Sequence, residues 1–201
     1  MSSEKRRLGS PVENRSNTDN QRPTQKTSLK AELLSWLQIL VTAALIAFVL
    51  NTFIIANSKV PSSSMENTIM TNDRVIGFRL TYRFSSPQEG DIAIFRFPDD
   101  ESIYYVKRII GLPGDVIDIK NGQVYKNGSE TPLDEPYLKE EMFPEEDMHF
   151  EVPEDSYFMM GDNRNLSYDA RYWNNTFVKR DKLIAKVMFR YWPLNKIGKV
   201  E

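Results

Sequence analysis

The chain has 201 residues, of which 26 are Lys or Arg, 28 are Asp or Glu, one is His and none is Cys. Without cysteine it can form no disulfide, thiolate nucleophile or thiolate metal site, and His149 alone cannot build a histidine metal cluster. We therefore expect no metal and no cofactor. Residues 59–201 hold 19 basic and 24 acidic residues, and this net charge of −5 argues against a nucleic-acid partner.

Residues 1–32 are rich in Ser, Asn, Thr, Gln and charged residues and contain few large apolar ones. This composition predicts a disordered tail, because such a segment cannot bury enough apolar surface to fold. The tail holds seven basic and four acidic residues. An excess of Lys and Arg beside a membrane span keeps that side in the cytoplasm, so we expect the N-terminus inside.

Residues 33–56 form an uncharged run of 24 residues between Glu32 and Lys59. As a helix this run measures about 36 Å, enough to cross a hydrocarbon core of about 30 Å, whereas the apolar core of a secretory signal has only about 7–15 residues. It predicts one transmembrane helix in the plasma membrane, with residues 57–201 outside the cytoplasm. Ser64 follows Ala56 by eight residues, so it lies at most roughly 26 Å from the bilayer.

Beyond the span the apolar pattern is that of β-strands. The side chains of residues 183–192 alternate with a period of two. This run leads into Tyr191-Trp192-Pro193. Its two aromatic residues either lie at the level of the lipid headgroups or close the core. Asn121-Gly122 between two alternating runs predicts a hairpin with a type I′ turn. The other predicted strands are 91–97, 103–110, 116–120 and 123–126.

Residues 134–155 contain ten acidic residues and one basic residue, Lys139. We interpret them as a solvated excursion from the sheet. His149 lies within this segment, and we expect it to be a surface histidine rather than a catalytic one.

The chemistry then follows by elimination. A serine hydroxyl needs a base within hydrogen-bond reach, and without His149 the remaining base is a lysine whose pKa is lowered by burial. Lys107 is the candidate, because it lies in an apolar strand. Arg108 has equally apolar neighbours, but arginine cannot accept a proton. From the strand alone, a Lys107 that reaches solvent remains an alternative.

Three segments resemble the sequence boxes of bacterial type I signal peptidases. They are Pro61-Ser-Ser-Ser-Met65, Tyr105-Val-Lys-Arg-Ile-Ile-Gly-Leu-Pro-Gly-Asp115 and Gly161-Asp-Asn-Arg-Asn-Leu-Ser-Tyr-Asp-Ala-Arg171, in the order of that family and behind a membrane anchor. The similarity extends from the anchor to about Trp192. It implies a mostly β fold, with an antiparallel β-sheet catalytic core and an inserted β-ribbon region at about 116–155.

The resemblance also implies roles for individual residues. Ser64 becomes the nucleophile and Lys107 its general base, working as a dyad. Ser62 offers its hydroxyl to the oxyanion beside the backbone N–H of Ser64, since preorganised donors stabilise such a charge. Ser167 orients the amine of Lys107.

A supporting ion pair is implied between Asp169 and Arg171. The substrates implied are exported preproteins that carry a small-x-small cleavage site, with the lipid bilayer as a second partner and the secretion machinery nearby. Shallow pockets for the two small side chains are implied at Val60, Pro61, Met65, Ile69 and Val106.

The chain departs from the family pattern at three places. Asn67 stands where the first box usually has Pro, Asn165-Leu166 replaces Asp-Asn before the serine of the third box, and Ala170 replaces a frequent serine. None of these changes removes a reacting atom.

The resemblance predicts a membrane-bound serine endopeptidase that removes signal peptides. The alternative is a membrane-tethered relative that binds signal peptides without cleaving them. Such a relative would be recognised by the loss of the serine or the lysine. A Ser-Lys hydrolase of cell-wall peptides is disfavoured, because no lysine follows Ser62, Ser63 or Ser64 at the Ser-x-x-Lys spacing.

Overall fold

The structure is a computed structural model that describes residues 29–200. The predicted tail therefore lies almost entirely outside the described residues. The described chain divides into two units, with the boundary between Val41 and Thr42.

A long apolar helix opens the described chain. Helix α1 spans Leu29–Val49 and continues into a π-helical turn at Leu50–Ile54. Its side chains are exposed and, after Lys30 and Glu32 in the first turn, uncharged on all sides, as a lipid-facing helix requires. The 26 helical residues are long enough to cross a membrane. The helix begins four residues before the predicted segment and ends two residues earlier, because Ile55 is extended and Ala56 is buried in the first strand.

The remainder is mostly antiparallel β-structure, which confirms the predicted fold class. A short helix, α2, spans Thr81–Phe84, and single turns of 3-10 helix lie at Arg164–Leu166, Arg180–Lys182 and Leu194–Lys196. The strands are β1 (Ile55–Lys59), β2 (Arg74–Phe78), β3 (Ile92–Phe97), β4 (Asp100–Gly111), β5 (Val116–Lys120), β6 (Gln123–Lys126), β7 (Met148–Glu151), β8 (Ser156–Met160), β9 (Val178–Lys179), β10 (Leu183–Trp192) and β11 (Gly198–Lys199).

Eight strands form the main sheet and three form a smaller one. The main sheet has the order β1-β2-β10-β3-β4-β8-β9, with β11 beside β10. The smaller sheet, β6-β5-β7, lies in the chain between β4 and β8, where the inserted region was predicted. Asn121 and Gly122 both have positive φ, at 51° and 73°, as a type I′ turn requires.

The main sheet is buried on both faces. Successive residues of a strand point to opposite faces, and in β3 the residues Ala93, Phe95 and Phe97 enter one core cluster while Ile92 and Ile94 enter a second one. The second cluster lies beneath the first predicted sequence box. At the end of β10, Trp192 leaves 48% of its surface exposed, so it does not close the core.

Candidate active site

The loop that follows β1 holds the first sequence box against the second core cluster. Val60 donates its backbone N–H to the carbonyl of Asp73 (2.9 Å) and accepts from Asn72 (2.8 Å). Met65 and Ile69 are both fully buried in that cluster. These two anchors fix the loop, and Ser64 lies directly before the first of them.

Strand β4 contains Lys107 and Arg108, whose burial the sequence pattern could not distinguish, and both are buried. Lys107 and Arg108 are each 3% exposed, so a Lys107 that reaches solvent is excluded. Lys107 Nζ donates a hydrogen bond to Ser167 Oγ at 2.9 Å. Ser167 belongs to the third sequence box, so this contact joins the second box to the third.

Burial changes the acidity of Lys107. Removal of the amine from water lowers its pKa from 10.5 to about 8, although the carboxylates of Asp169 and Asp162 act in the opposite direction and Arg171 assists. With that pKa, roughly one molecule in ten carries the neutral amine at pH 7. A neutral amine is the form that can accept a proton.

Ser64 and Lys107 lie on the wall of one cleft. Its volume is about 320 Å³. Within the described residues no hydrogen bond joins the two side chains, and catalytic hydrogen bonds often tighten only when substrate is bound. The described residues that line the cleft are Ser58, Lys59, Val60, Pro61, Ser62, Ser64, Ile103, Tyr104, Tyr105, Val106, Lys107, Leu166 and Tyr168.

Two strand edges flank this cleft. Consecutive residues of β1 and of β4 line the cleft. Because the side chains of neighbouring strand residues point to opposite faces of the sheet, consecutive residues can line one cleft only along the edge of a strand. Residues 104–107 pair with β3 on one side, and the pairing of β4 with β8 begins only at Arg108. These edges leave backbone groups available to an extended peptide.

The other predicted residue of the first box, Ser62, also borders the cleft. Its hydroxyl lies 3.2 Å from Ser64 Oγ, and its side chain is exposed. A donor at this distance from the nucleophile is within reach of a charge that develops on the attacked carbonyl.

The third box binds backbone carbonyls of the first box, through the side-chain amide and the backbone N–H of Asn163. Asn163 donates to the carbonyls of Ser63 (3.0 Å) and Ser64 (3.1 Å). At Gly161 a Cβ atom would lie 2.2 Å from Ser167 Oγ and 2.4 Å from the Ser64 carbonyl oxygen, so only glycine permits this approach. The nucleophile loop and the lysine-orienting serine are thereby held together.

The predicted ion pair of Asp169 and Arg171 is present and buried. Arg171 donates through Nε to Oδ1 (2.8 Å) and through Nη2 to Oδ2 (3.0 Å). Asp169 Oδ2 also accepts the backbone N–H of Gly161 (3.0 Å). The pair therefore supports the turn that brings the boxes together.

Two further buried ion pairs were not predicted from the sequence. Arg108 binds Asp162 in a bidentate manner, with distances of 2.9 and 2.7 Å, and both side chains are nearly inaccessible. Arg164 binds Glu135 in the same way at 2.6 and 2.9 Å. The prediction of a solvated segment at 134–155 is therefore wrong for part of that segment, because Glu135 is recruited to neutralise a buried arginine.

Among the departures from the family pattern, Asn67 has a structural explanation. Asn67 has a φ of 91°, which proline cannot adopt, and its amide donates to the carbonyls of Tyr137 and Leu138 at 3.1 and 3.2 Å. Leu166 is 64% exposed on the cleft wall, and Ala170 is fully buried.

The predicted substrate residues divide into two groups. Val60, Pro61 and Val106 line the cleft. Met65 and Ile69 are fully buried and are absent from its described lining, because they anchor the nucleophile loop to the core. His149 lies on β7 of the smaller sheet, exposed and bonded to Asp118 at 2.9 Å, as a surface histidine should be.

The fold and the site together define a β-sheet protein with an apolar N-terminal helix and a serine and a buried lysine on the wall of one cleft. A family model described as signal peptidase, peptidase S26, matches residues 33–192. The chain belongs to this family, which confirms the resemblance found in its sequence boxes.

Individual relatives agree with the family match. The chain is 38% identical to a probable signal peptidase I-2 of Synechocystis sp., over 88% of this chain and 83% of the relative. It is 34% identical to signal peptidase I S of Bacillus subtilis, over 88% of this chain and 98% of the relative. A crystal structure of a signal peptidase I from Enterococcus faecalis has 33% identity and a TM-score of 0.44, and the match covers 51% of this chain and 97% of that one.

Proposed function

We propose that this chain is a membrane-bound serine endopeptidase that removes N-terminal signal peptides from exported preproteins through a Ser64–Lys107 dyad. One observation carries the proposal: Lys107 is buried beside a cleft serine, is held by Ser167, and has a pKa lowered to about 8. Membership of the signal peptidase family supplies the reaction class.

The chemical steps follow from these groups. The neutral amine of Lys107 removes the proton of Ser64 Oγ as that oxygen attacks the scissile carbonyl carbon. The hydroxyl of Ser62 and the backbone N–H of Ser64 donate to the oxyanion. The resulting ammonium gives its proton to the departing amine, which leaves an ester on Ser64, and a water molecule deprotonated by Lys107 then hydrolyses that ester.

Ser167, Asp169 and Arg171 act as positioning residues in this scheme. The hydroxyl of Ser167 holds the amine in place. The ion pair of Asp169 with Arg171 keeps the turn at Gly161 in the shape that brings Ser167 to Lys107. Of the three, only Ser167 contacts a reacting group, the amine of Lys107.

Substrate recognition is proposed to use the strand edges that flank the cleft. An extended peptide would pair its backbone there, and the side chains at the first and third positions before the cut would point the same way, into the protein. Val60, Pro61 and Val106 line the cleft and would limit the size of these two side chains, while Met65 and Ile69 anchor the loop in the core.

Cleavage should depend on the size of the substrate side chain at the minus-one position but not at the minus-two position. Replacing the minus-one alanine of a precursor by phenylalanine should stop cleavage, because the shallow wall cannot admit the ring. The same replacement at minus-two should be tolerated, because that side chain points outward. A matched pair of precursors, assayed for kcat/KM, tests this. Equal tolerance at both positions would refute the strand-paired pose.

The pH profile should report the buried lysine. Below a pH of about 8 Lys107 is protonated and cannot act as base, so kcat/KM should fall about tenfold for each unit of acidification. His149→Ala should leave this acid limb in place, because the histidine lies outside the cleft lining. Loss of the limb in His149→Ala would point to another base.

The membrane orientation is also proposed here. The basic excess of residues 1–32 and the apolar helix support a single-pass protein of the plasma membrane with residues 57–201 outside the cytoplasm, near the secretion machinery. Protease added outside intact cells should digest residues 59–201 and spare the first 32. Digestion of the tail alone would invert this topology.

A cleavage assay tests the function as a whole. The purified full-length protein in lipid should cut a precursor that bears a small-x-small site, and a Ser64→Ala preparation should leave it intact. Binding of the precursor without cleavage by the wild type would instead identify the non-cleaving relative.

A further inference from the structure

A second cleft lies where the apolar helix enters the β-domain. Its volume is about 530 Å³, and it shares no lining residue with the candidate active site among the described residues. The last turn of the helix contributes Phe53, and the segment at α2 contributes Arg79, Arg83 and Phe84. Arg180, from the 3-10 turn that precedes β10, is the third arginine in the lining.

The positive charge of this cleft is not neutralised by the protein. No acidic residue occurs in its described lining, and none of the three arginines has a carboxylate within salt-bridge distance among residues 29–200. The carboxylate of Asp181, the chain neighbour of Arg180, lies 3.8 Å from Lys182 instead.

Backbone carbonyls hold two of the arginines in place without cancelling their charge. Arg180 Nη2 donates to the carbonyls of Tyr82 (2.6 Å) and Ser85 (3.0 Å), and Arg79 Nε donates to the carbonyl of Ile55 (3.3 Å). The guanidinium of Arg83 makes no hydrogen bond to any described residue and is exposed. The cleft thus presents positioned donors to an anion, because guanidinium groups match phosphate oxygens in geometry.

Apolar side chains border these arginines. Phe84 is 81% exposed and Phe53 is 60% exposed, and Ile184 contributes a half-buried aliphatic surface. Exposed aromatic groups beside cations suit an amphiphile rather than a small hydrated anion. Phe53 also belongs to the final turn of the helix that is long enough to span a membrane, which brings the cleft to the level where lipid headgroups lie.

We infer that this cleft binds the phosphate of an anionic phospholipid headgroup, with Arg83 and Arg79 as phosphate donors and Phe53 and Phe84 packed against the glycerol and upper acyl chain. Such a site would set the height of the β-domain above the bilayer. The inference goes beyond the peptidase function and is measured independently of it.

Native mass spectrometry of the full-length protein, released from neutral maltoside micelles, tests the site. The wild type should bind a first molecule of phosphatidylglycerol more tightly than phosphatidylcholine. Arg83→Gln should raise the apparent Kd for that molecule roughly fivefold, the effect of about one cation at an anionic lipid surface. Arg74→Gln is the matched control, since Arg74 is an exposed arginine outside the cleft, and it should leave this Kd unchanged.

A further variant and ligand distinguish a lipid from free phosphate. Phe84→Ala should also weaken phosphatidylglycerol binding, because a lipid contacts the aromatic ring. The lipid assignment would be overturned if inorganic phosphate bound as tightly as phosphatidylglycerol. It would also be overturned if Phe84→Ala left the Kd for phosphatidylglycerol unchanged. Equal losses in Arg83→Gln and Arg74→Gln would mean diffuse surface attraction and no site. An unchanged unfolding midpoint in each variant confirms that the fold is intact.

Discussion

Lys107→Arg should lower the turnover of a precursor by at least about a thousandfold, because arginine keeps the positive charge but cannot accept a proton. Lys107→Ala should do the same. The rates should be compared at pH 8 or above, where at least about half of the wild-type amine is neutral.

A matched control distinguishes the loss of the general base from the effect of any Lys→Arg substitution in the sheet. Lys186 lies on β10 of the same sheet, is partly exposed and pairs with Asp91. Lys186→Arg should therefore retain the wild-type rate, because an ion pair tolerates either cation. Comparable activity in Lys107→Arg would remove this lysine from the mechanism.

Asp162→Asn should lower the free energy of unfolding by about 3–5 kcal/mol, the range for breaking a buried ion pair and leaving one charge unpaired. The side chains of Asp162 and Arg108 are 0% and 4% exposed, so water cannot replace the lost carboxylate. Denaturant unfolding in maltoside micelles measures the loss. Thr68 and Tyr137 also contact this pair, through a hydrogen bond and a ring face.

Two comparisons make the destabilisation specific. Glu101→Gln breaks an exposed pair with Lys182 and should leave the unfolding midpoint unchanged. The double variant Arg108→Met/Asp162→Leu, which removes both charges, should be more stable than either single replacement. A double variant as unstable as the sum of the singles would indicate that the two residues do not act as a pair.

The strands were predictable where one local signal was sufficient. The ten alternating residues of β10 and the Asn121-Gly122 hairpin match their predicted bounds, because period-two burial and type I′ turn chemistry are encoded in adjacent residues. The end of the apolar helix was less predictable. Ile55 and Ala56 are as apolar as the span, and only pairing with β2 draws them into a strand.

The sequence boxes named the candidate reacting groups and the supporting residues Ser167, Asp169 and Arg171, but not the two other buried ion pairs. Ser64 and Lys107 were named by residue type and by the sequence boxes, whereas the strand alone left the burial of Lys107 open. The pairs Arg108–Asp162 and Arg164–Glu135 join residues 54 and 29 positions apart, and no local pattern encodes such a partner. Glu135 was further obscured by the acidic run in which it lies.

The most direct measurement is the mass of the enzyme during turnover. The full-length protein, quenched in acid while it cleaves a precursor, should carry an ester-linked acyl fragment of the signal peptide on the peptide that contains Ser64. Ser64→Ala should carry none, and the adduct should form more slowly as the pH falls below about 8, because Lys107 is then protonated. An adduct on any other residue, or product formation without an acyl intermediate, would contradict the Ser64–Lys107 dyad.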